Sequence, residues 1–472
     1  MYVLATYLAL VLLATPLHAT LPIFILYASF SAVVLWTLGT QPGKTVTNHV
    51  RSRWIALTAA LFAILRLIPF MRWGWPALGA DMGAYYRNFN ACFASIAACA
   101  EEPLALLGYL PYAMGAETQT ILIVIHLAAS ALLMYGVWRI TKREWGARSA
   151  LFSIAVYAVS LPQFLFYWSF FLKMEIALAL TLFALDAYAR GQKRAAIYAA
   201  LAGIVHPLTI VPLTATIILT GITSGTKRYS LAVAATGAAA TAAFKWNALY
   251  GYAEYLVSYA TGTYAATQTL FLAGHFVEFS FYHDALMLFY VPFALTALAW
   301  GIQQGTLPAI GWYALVNLIL ISVNAVFHNR FVVLFDISCV ILGGYAFAEF
   351  SRKIDTKPLK SAAALLLILI AGYSLYESVR MEPLVNAAEF RELTALQGKH
   401  AGMPLFINST TYRQFVLGYT EHPVIVAPFN EAPWEKLGTP SLIYNARRST
   451  PINPENNPHF TRISERIFEY RQ

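Results

Sequence analysis

The residues with most chemistry to offer lie in one stretch, Gly79-Ala80-Asp81-Met82-Gly83-Ala84-Tyr85-Tyr86-Arg87-Asn88, followed by Glu101-Glu102-Pro103-Leu104. Carboxylates, tyrosines and an arginine in this pattern suit sugar chemistry. Aromatic faces stack on sugar rings, and carboxylates accept hydrogen bonds from hydroxyls. One carboxylate can also act as general base toward an acceptor hydroxyl, which makes Asp81 and Glu102 candidate catalytic groups. Tyr85 and Tyr86 would shape the sugar site, and Arg87 would contact a phosphate. The plainer alternative is a cap, with Glu101 and Glu102 ahead of Pro103 opening a helix at the membrane interface. Asp81 with Glu101 or Glu102 offers oxygen ligands for a divalent ion. The spacing does not establish such a site, so no cofactor is expected.

A second set of polar residues sits inside apolar runs. Lys173 and Glu175 follow Trp168-Ser169, His206 precedes Pro207, and His328-Asn329-Arg330 separates two apolar stretches. An ionised side chain within a membrane span costs ~2.5 kcal/mol or more, so it usually faces a cavity or a partner. Lys173, His328 and Arg330 suit a lipid phosphate or pyrophosphate. His206, beside a helix-breaking proline, is a third acid–base candidate. Each has a structural alternative: a Lys173–Glu175 pair, a packed histidine, a hairpin turn. Arg66, near the end of a span, reads as a snorkelling side chain.

The elements that must position these groups are membrane helices. Of 472 residues, 59% are hydrophobic and only 12% charged, about half the charge of a soluble domain. That excludes a cytosolic enzyme, a nucleic-acid binder and a disordered chain. The net charge of +9 lies in the first 380 residues, because Met381–Gln472 carries equal numbers of acidic and basic residues. There the cations fall in short clusters between apolar runs, such as Arg139, Lys142, Arg143 and Arg148, or Arg190, Lys193 and Arg194. Such loops mark the cytoplasmic side.

Apolar runs of ~20 residues are long enough to span. They are expected near Tyr2–His18, Thr20–Leu38, Trp54–Phe70, Thr120–Trp138, Ser149–Leu165 and Phe170–Ala189, and on to Phe331–Phe350 and Ser361–Tyr376, about 12 or 13 in all. The run Ala195–Ile222 lies between two basic clusters and holds His206-Pro207, so a broken or re-entrant pair is expected there. Loops 71–119 and 251–284 and the tail after Glu377 then face outward.

The tail reads as a small α/β unit of about 90 residues. Leu384–Lys399 has helical spacing. Met403–Asn408, Pro423–Pro428, Ser441–Asn445 and Arg462–Tyr470 read as strands, and Ser409 or Thr410 would cap a helix over Tyr412–Gly418. Cys339 is expected as a core residue. Cys92 and Cys99 would form a bridge in an oxidising compartment, though a seven-residue spacing alone does not decide it.

In order and residue type, Asp81, Tyr85 and Glu102-Pro103-Leu104, then Phe170-Phe171-Leu172-Lys173-Met174, Ala202-Gly203-Ile204-Val205-His206 and His328-Asn329-Arg330-Phe331 resemble the EpsG-like branch of Wzy-type polysaccharide polymerases. The chain departs from that family at Lys173-Met174, where Arg-Gln is usual, and in its folded tail. The tail pattern and the aspartate in the first outward loop look more like GT-C glycosyltransferases. The polymerase resemblance implies joining undecaprenyl-pyrophosphate-linked repeat units outside the cytoplasmic membrane, as in exopolysaccharide, capsule or O-antigen synthesis. The GT-C resemblance implies adding a single sugar from a polyprenyl-phosphate donor.

The expected fold is therefore an all-α polytopic membrane protein, GT-C-like, over residues 1–380, with a small extracytoplasmic α/β domain over 381–472. The expected partners are a polyprenyl-linked sugar donor, a glycan acceptor and the bilayer, with export or chain-length proteins as further candidates and no nucleic acid. The expected place is the bacterial inner membrane. A flippase for lipid-linked oligosaccharides would share this composition. Transporters commonly pair two broken helices, whereas one clear break is visible here.

Overall fold

The computed structural model describes residues 50–75, 79, 81–100, 102–260, 287–323, 328–353, 381–400, 402–408, 410–420, 422–427, 440–446 and 459–471, with Thr6, Ala9 and scattered positions from 361 to 380. The expected spans at Tyr2–His18 and Thr20–Leu38, most of Ser361–Tyr376, most of loop 251–284, Glu101 and Ser409 lie outside the described residues. Two compact units result. The first holds Met1–Leu65, Ala129–Phe166 and Leu172–Tyr376, and the second holds Arg66–Ala128, Tyr167–Phe171 and Glu377–Gln472.

The apolar runs fold as helices because backbone N–H and C=O groups in hydrocarbon must pair within the segment. In chain order these are α1 (Ser52–Trp73), α2 (Met82–Ala94), α3 (Leu106–Ala113), α4 (Thr118–Val159), α5 (Leu161–Trp168), α6 (Leu172–Ala189), α7 (Arg194–Val205), α8 (Ile210–Ser224), α9 (Lys227–Ala260), α10 (Met287–Gln303), α11 (Ala309–Ser322) and α12 (His328–Lys353). Among the described residues, four helices are long and apolar enough to cross a membrane: Ser52–Trp73, Thr118–Val159, Pro207–Ser224 and Arg330–Arg352.

α4 covers two expected spans. It is two helices meeting at Gly146, whose φ of 87° and ψ of 173° are left to glycine because it lacks a Cβ. The basic cluster Arg139–Arg143, expected as a loop, is helical. Its charges line the helix end rather than a connection. The run Ala195–Ile222 breaks as expected. α7 stops at Val205, His206 is extended (φ −146°, ψ 104°), and a 3-10 turn, Pro207–Thr209, leads into α8. Proline disfavours the helical state of the residue before it and removes one donor.

In the first unit, α12 packs against α10 and α11, and α9 packs against α7 and α8. The apolar stretch of α12 is wholly buried, as expected of a helix apolar all round. His328-Asn329-Arg330, read as a turn, forms the first turn of α12, where donors need no intrahelical partner.

The second unit contains loop 71–119 and the tail. Cys92 and Cys99 are joined by a disulfide. α3 keeps Leu106, Leu107 and Leu110 exposed, as an interfacial helix would. The tail adds α13 (Ala387–Thr394) and α14 (Thr410–Thr420) to a five-stranded sheet. Its strands are β1 (Leu405–Ile407), β2 (Val424–Val426), β3 (Ser441–Tyr444), β4 (Phe460–Arg462) and β5 (Ile467–Tyr470), in the order β2-β1-β3-β5-β4. β2, β1 and β3 run parallel, and β5 pairs antiparallel with β3 and β4. The expected strand Arg462–Tyr470 is in fact a hairpin, because Ile463 and Ser464 both donate to the Ile467 carbonyl and turn the chain. α13 opens on a capping box in which Asn386 and Glu389 bond each other's backbone N–H. The sheet core is Phe406, Ile443 and Phe468.

Candidate functional site

At the break at His206 the first unit places one group of cations. Arg330, in the first turn of α12, brings Nη1 to 3.5 Å from His206 Nε2. Lys173 stands in the first turn of α6. The charges that act on the His206 ring are Arg330, Lys173 and Lys245. Lys245 was missed in the sequence, where it reads as one charge near the end of the span Ser230–Tyr250. In the structure α9 kinks at this residue (φ −126°, ψ 26°). The available signal was a charge inside an apolar run.

The helices around the break approach closely. A Cβ on Gly203 would lie 1.8 Å from Thr241 Oγ1, so α7 and α9 meet backbone to side chain one turn before each bends. Thr209 Oγ1 donates to the His206 carbonyl at 2.8 Å and takes up an acceptor freed by the break. The 3-10 turn and α8 present their N-terminal end beside the same residues, which adds partial positive charge. Arg330, Lys173 and Lys245 thus bring three cations and a helix start to apolar surroundings. An arginine fork and flexible ammonium groups suit a phosphate. Glu175 is fully buried in the same turn as Lys173. The His328 side chain lies outside the described residues.

The second unit holds the other candidates. Asp81 occupies the position before α2, and its side chain makes no capping bond there. Tyr85 is buried and meets Phe170 edge-on at 5.7 Å. Tyr86 packs on Tyr419 at 5.1 Å and on Trp75 at 6.0 Å. Arg87 is exposed. Glu102 is buried at the start of the turn Pro103–Ala105 and makes no capping bond there.

Within this unit the first loop grips the link Trp168–Phe171. The Gly79 N–H donates to the Trp168 carbonyl at 2.8 Å. A Cβ on Gly79 would lie 2.5 Å from Ser169 Cα, so a side chain there is excluded. Phe170 takes a left-handed φ of 59°, a strained state for a residue with a Cβ. His126 stacks on Phe170 at 4.2 Å and on Tyr167 at 4.3 Å, and its Nε2 lies 2.8 Å from the Tyr167 carbonyl. Sequence reasoning missed His126 because one polar residue in an apolar run has no distinctive spacing. Arg66 does not snorkel. It is fully buried, with its guanidinium 5.2 Å from the Tyr167 ring centre, because the ring face offers a cation partner away from the surface.

A buried polar knot also went unread. Asp336 on α12 accepts from Gln163 Nε2 at 2.7 Å and Ser160 Oγ at 3.3 Å, and from the Tyr290 hydroxyl. The signal was one aspartate inside an apolar span.

No protein-family model matches the chain, and no curated protein matches it in sequence. Among solved structures, ArnT from Cupriavidus metallidurans in the apo state is similar, with a TM-score of 0.54, 13% identity, 89% of this chain covered and 98% of that one. The same protein bound to undecaprenyl phosphate gives a TM-score of 0.51 at 13% identity, with the same coverage of 89% and 98%. The apo oligosaccharyltransferase from Archaeoglobus fulgidus gives a TM-score of 0.51 at 14% identity. That match covers 80% of this chain and 64% of the archaeal one. At such identities the likeness is one of fold. The chain has the GT-C-like, multi-helical membrane architecture with a small C-terminal sheet.

Proposed function

We propose that the chain is a membrane glycosyltransferase that takes its sugar from a polyprenyl-phosphate-linked donor. Arg330 Nη1 standing 3.5 Å from His206 Nε2 at a broken helix carries this reading. The fold supports it, since one similar protein was solved with undecaprenyl phosphate and AglB from Archaeoglobus fulgidus was solved with a dolichol-phosphate.

The chemistry follows from charge. An acceptor oxygen attacks the anomeric carbon, the carbon–oxygen bond to phosphate breaks, and the phosphate leaves with the electron pair. Cations fixed beside the leaving oxygen stabilise that developing charge more than the ground state, and so lower the barrier. Arg330 supplies two parallel donors, while Lys173 and Lys245 act as point charges. His206 Nε2, 3.5 Å from Arg330 Nη1, positions the guanidinium. Acceptor activation is assigned to Asp81, with Glu102 and His206 as the alternatives, and with Tyr85, Tyr86 and Arg87 as sugar and phosphate contacts. The tail is taken to lie outside a bacterial cytoplasmic membrane, opposite the basic loops.

The single-sugar reading is put first because ArnT, similar over 89% of this chain, was solved with a polyprenyl monophosphate. The order of motifs at Asp81, Lys173, His206 and Arg330 favours the second reading, a polymerase of repeat units. Lipid-linked intermediates in cells carrying Arg330→Ala, at matched protein level, separate the two. Glycans lacking one sugar support single-sugar transfer, and accumulated complete repeat units support the polymerase. Unchanged glycans would overturn both.

A further inference from the structure

We propose that the helix ends of α4 and α6 form a binding site for the phosphate of an anionic phospholipid headgroup. Asp186, fully buried in the last turn of α6, gathers three arginines. Its carboxylate accepts from Arg139 Nε at 2.6 Å, Arg143 Nη1 at 2.7 Å and Arg190 Nε at 3.2 Å. Arg143 is fully engaged, because it also bonds the Asp186 carbonyl at 2.7 Å and the Glu144 carboxylate. Arg139 and Arg190 each spend one N–H on Asp186. Their outer guanidinium nitrogens meet no acceptor among the described residues, and their side chains are 23% and 40% exposed.

Two carboxylates, Asp186 and Glu144, thus face three guanidinium groups, and Lys142 adds a fourth cation over the Trp138 ring. The carbonyl end of α6 favours one such charge. It does not account for three held within bonding distance of one carboxylate, where they repel each other. The arrangement is neutralised by an anion on the outer edges of Arg139 and Arg190. Asp186 occupies the Nε edges, so both forks are fixed and turned outward, the geometry that takes phosphate oxygens in pairs. The cluster lies at the ends of apolar helices beside Trp138, Tyr188 and Tyr229, at the depth where headgroups and aromatic belts meet. Basic pockets there attract anionic lipids. None of these residues belongs to the proposed donor site, so the inference stands apart from that reading.

The test uses the purified full-length protein with phosphatidylglycerol, phosphatidylcholine or inorganic phosphate added, read by thermal unfolding and by native mass spectrometry of retained lipid. Phosphatidylglycerol is expected to raise the Tm and to be retained selectively. Arg139→Gln with Arg190→Gln is expected to weaken that retention roughly twentyfold, and Arg139→Lys with Arg190→Lys to restore part of it. Where the double variant fails to fold, Arg139→Gln alone supplies the readout. Equal effects of the two lipids, an equal effect of inorganic phosphate, or unchanged selectivity in the Gln variants would overturn the proposal.

Discussion

Arg330 Nη1 and His206 Nε2 stand 3.5 Å apart, although 124 residues separate them in the chain. The proline after His206 opens one helix and the start of α12 delivers the cation. In the proposed donor site both are needed to hold a phosphate between helices. If Arg330 stabilises a leaving phosphate, Arg330→Ala lowers transfer from a polyprenyl-phosphate-linked sugar by roughly a hundredfold or more. Arg330→Lys recovers part of the rate, since it keeps charge without the fork. Initial rates in membranes of matched protein content check this.

Lys245 sits at a kink rather than in a regular turn. Lys245→Met keeps the side-chain length and apolar stem but removes the charge. The expected result is a raised KM for the donor, by roughly tenfold, and a smaller change in kcat. An unchanged KM would remove Lys245 from the phosphate group.

The bridge between Cys92 and Cys99 closes a short loop in the second unit. Replacing both by serine should lower stability by about 2 to 3 kcal/mol through the freedom returned to the unfolded chain. Thermal unfolding with and without reductant measures it: reductant should lower the Tm of the wild type and leave the double variant unmoved.

Asp336 is held by three neutral donors from Gln163, Ser160 and Tyr290. Asp336→Ala strands buried donors and should cost about 2 to 3 kcal/mol. Asp336→Asn keeps an acceptor and should cost less. Comparing Tm values of the two variants in one detergent decides it.

In the tail, the Tyr444 hydroxyl donates to Glu389 Oε1 at 3.2 Å. Burial, helped by the Glu389 carboxylate, raises its pKa above the ordinary tyrosine range. The folded state therefore keeps its proton where the unfolded chain would lose it. The stability this contributes is complete below about pH 10 and falls as pH rises further. Tyr444→Phe should be less stable than the wild type at pH 8 by about 1 kcal/mol, with a shallower loss of Tm above pH 10.

The sequence showed the features that are local. His206-Pro207 announced its break because a proline restricts its own neighbour. The tail strands β1, β2 and β3 were legible from short apolar runs between prolines. The hairpin over residues 460–470 was not, because its turn is made by Ile463, Ser464 and Ile467 rather than by glycine or proline. Arg66, His126 and Lys245 escaped for another reason. A single polar residue in an apolar run looks the same whether it reaches the surface, stacks on a ring or points at a distant cation. Only the helix packing decides.

The sheet order fixes what this domain offers to another copy of itself. Its two outer strands, β2 and β4, are three residues long. Pro423 precedes one, and Arg462 closes the other by turning its guanidinium back onto the Ser464 and Glu465 carbonyls. Short, charged or proline-flanked margins resist edge-to-edge pairing. A domain with such margins is thereby kept from zipping onto its neighbours strand by strand.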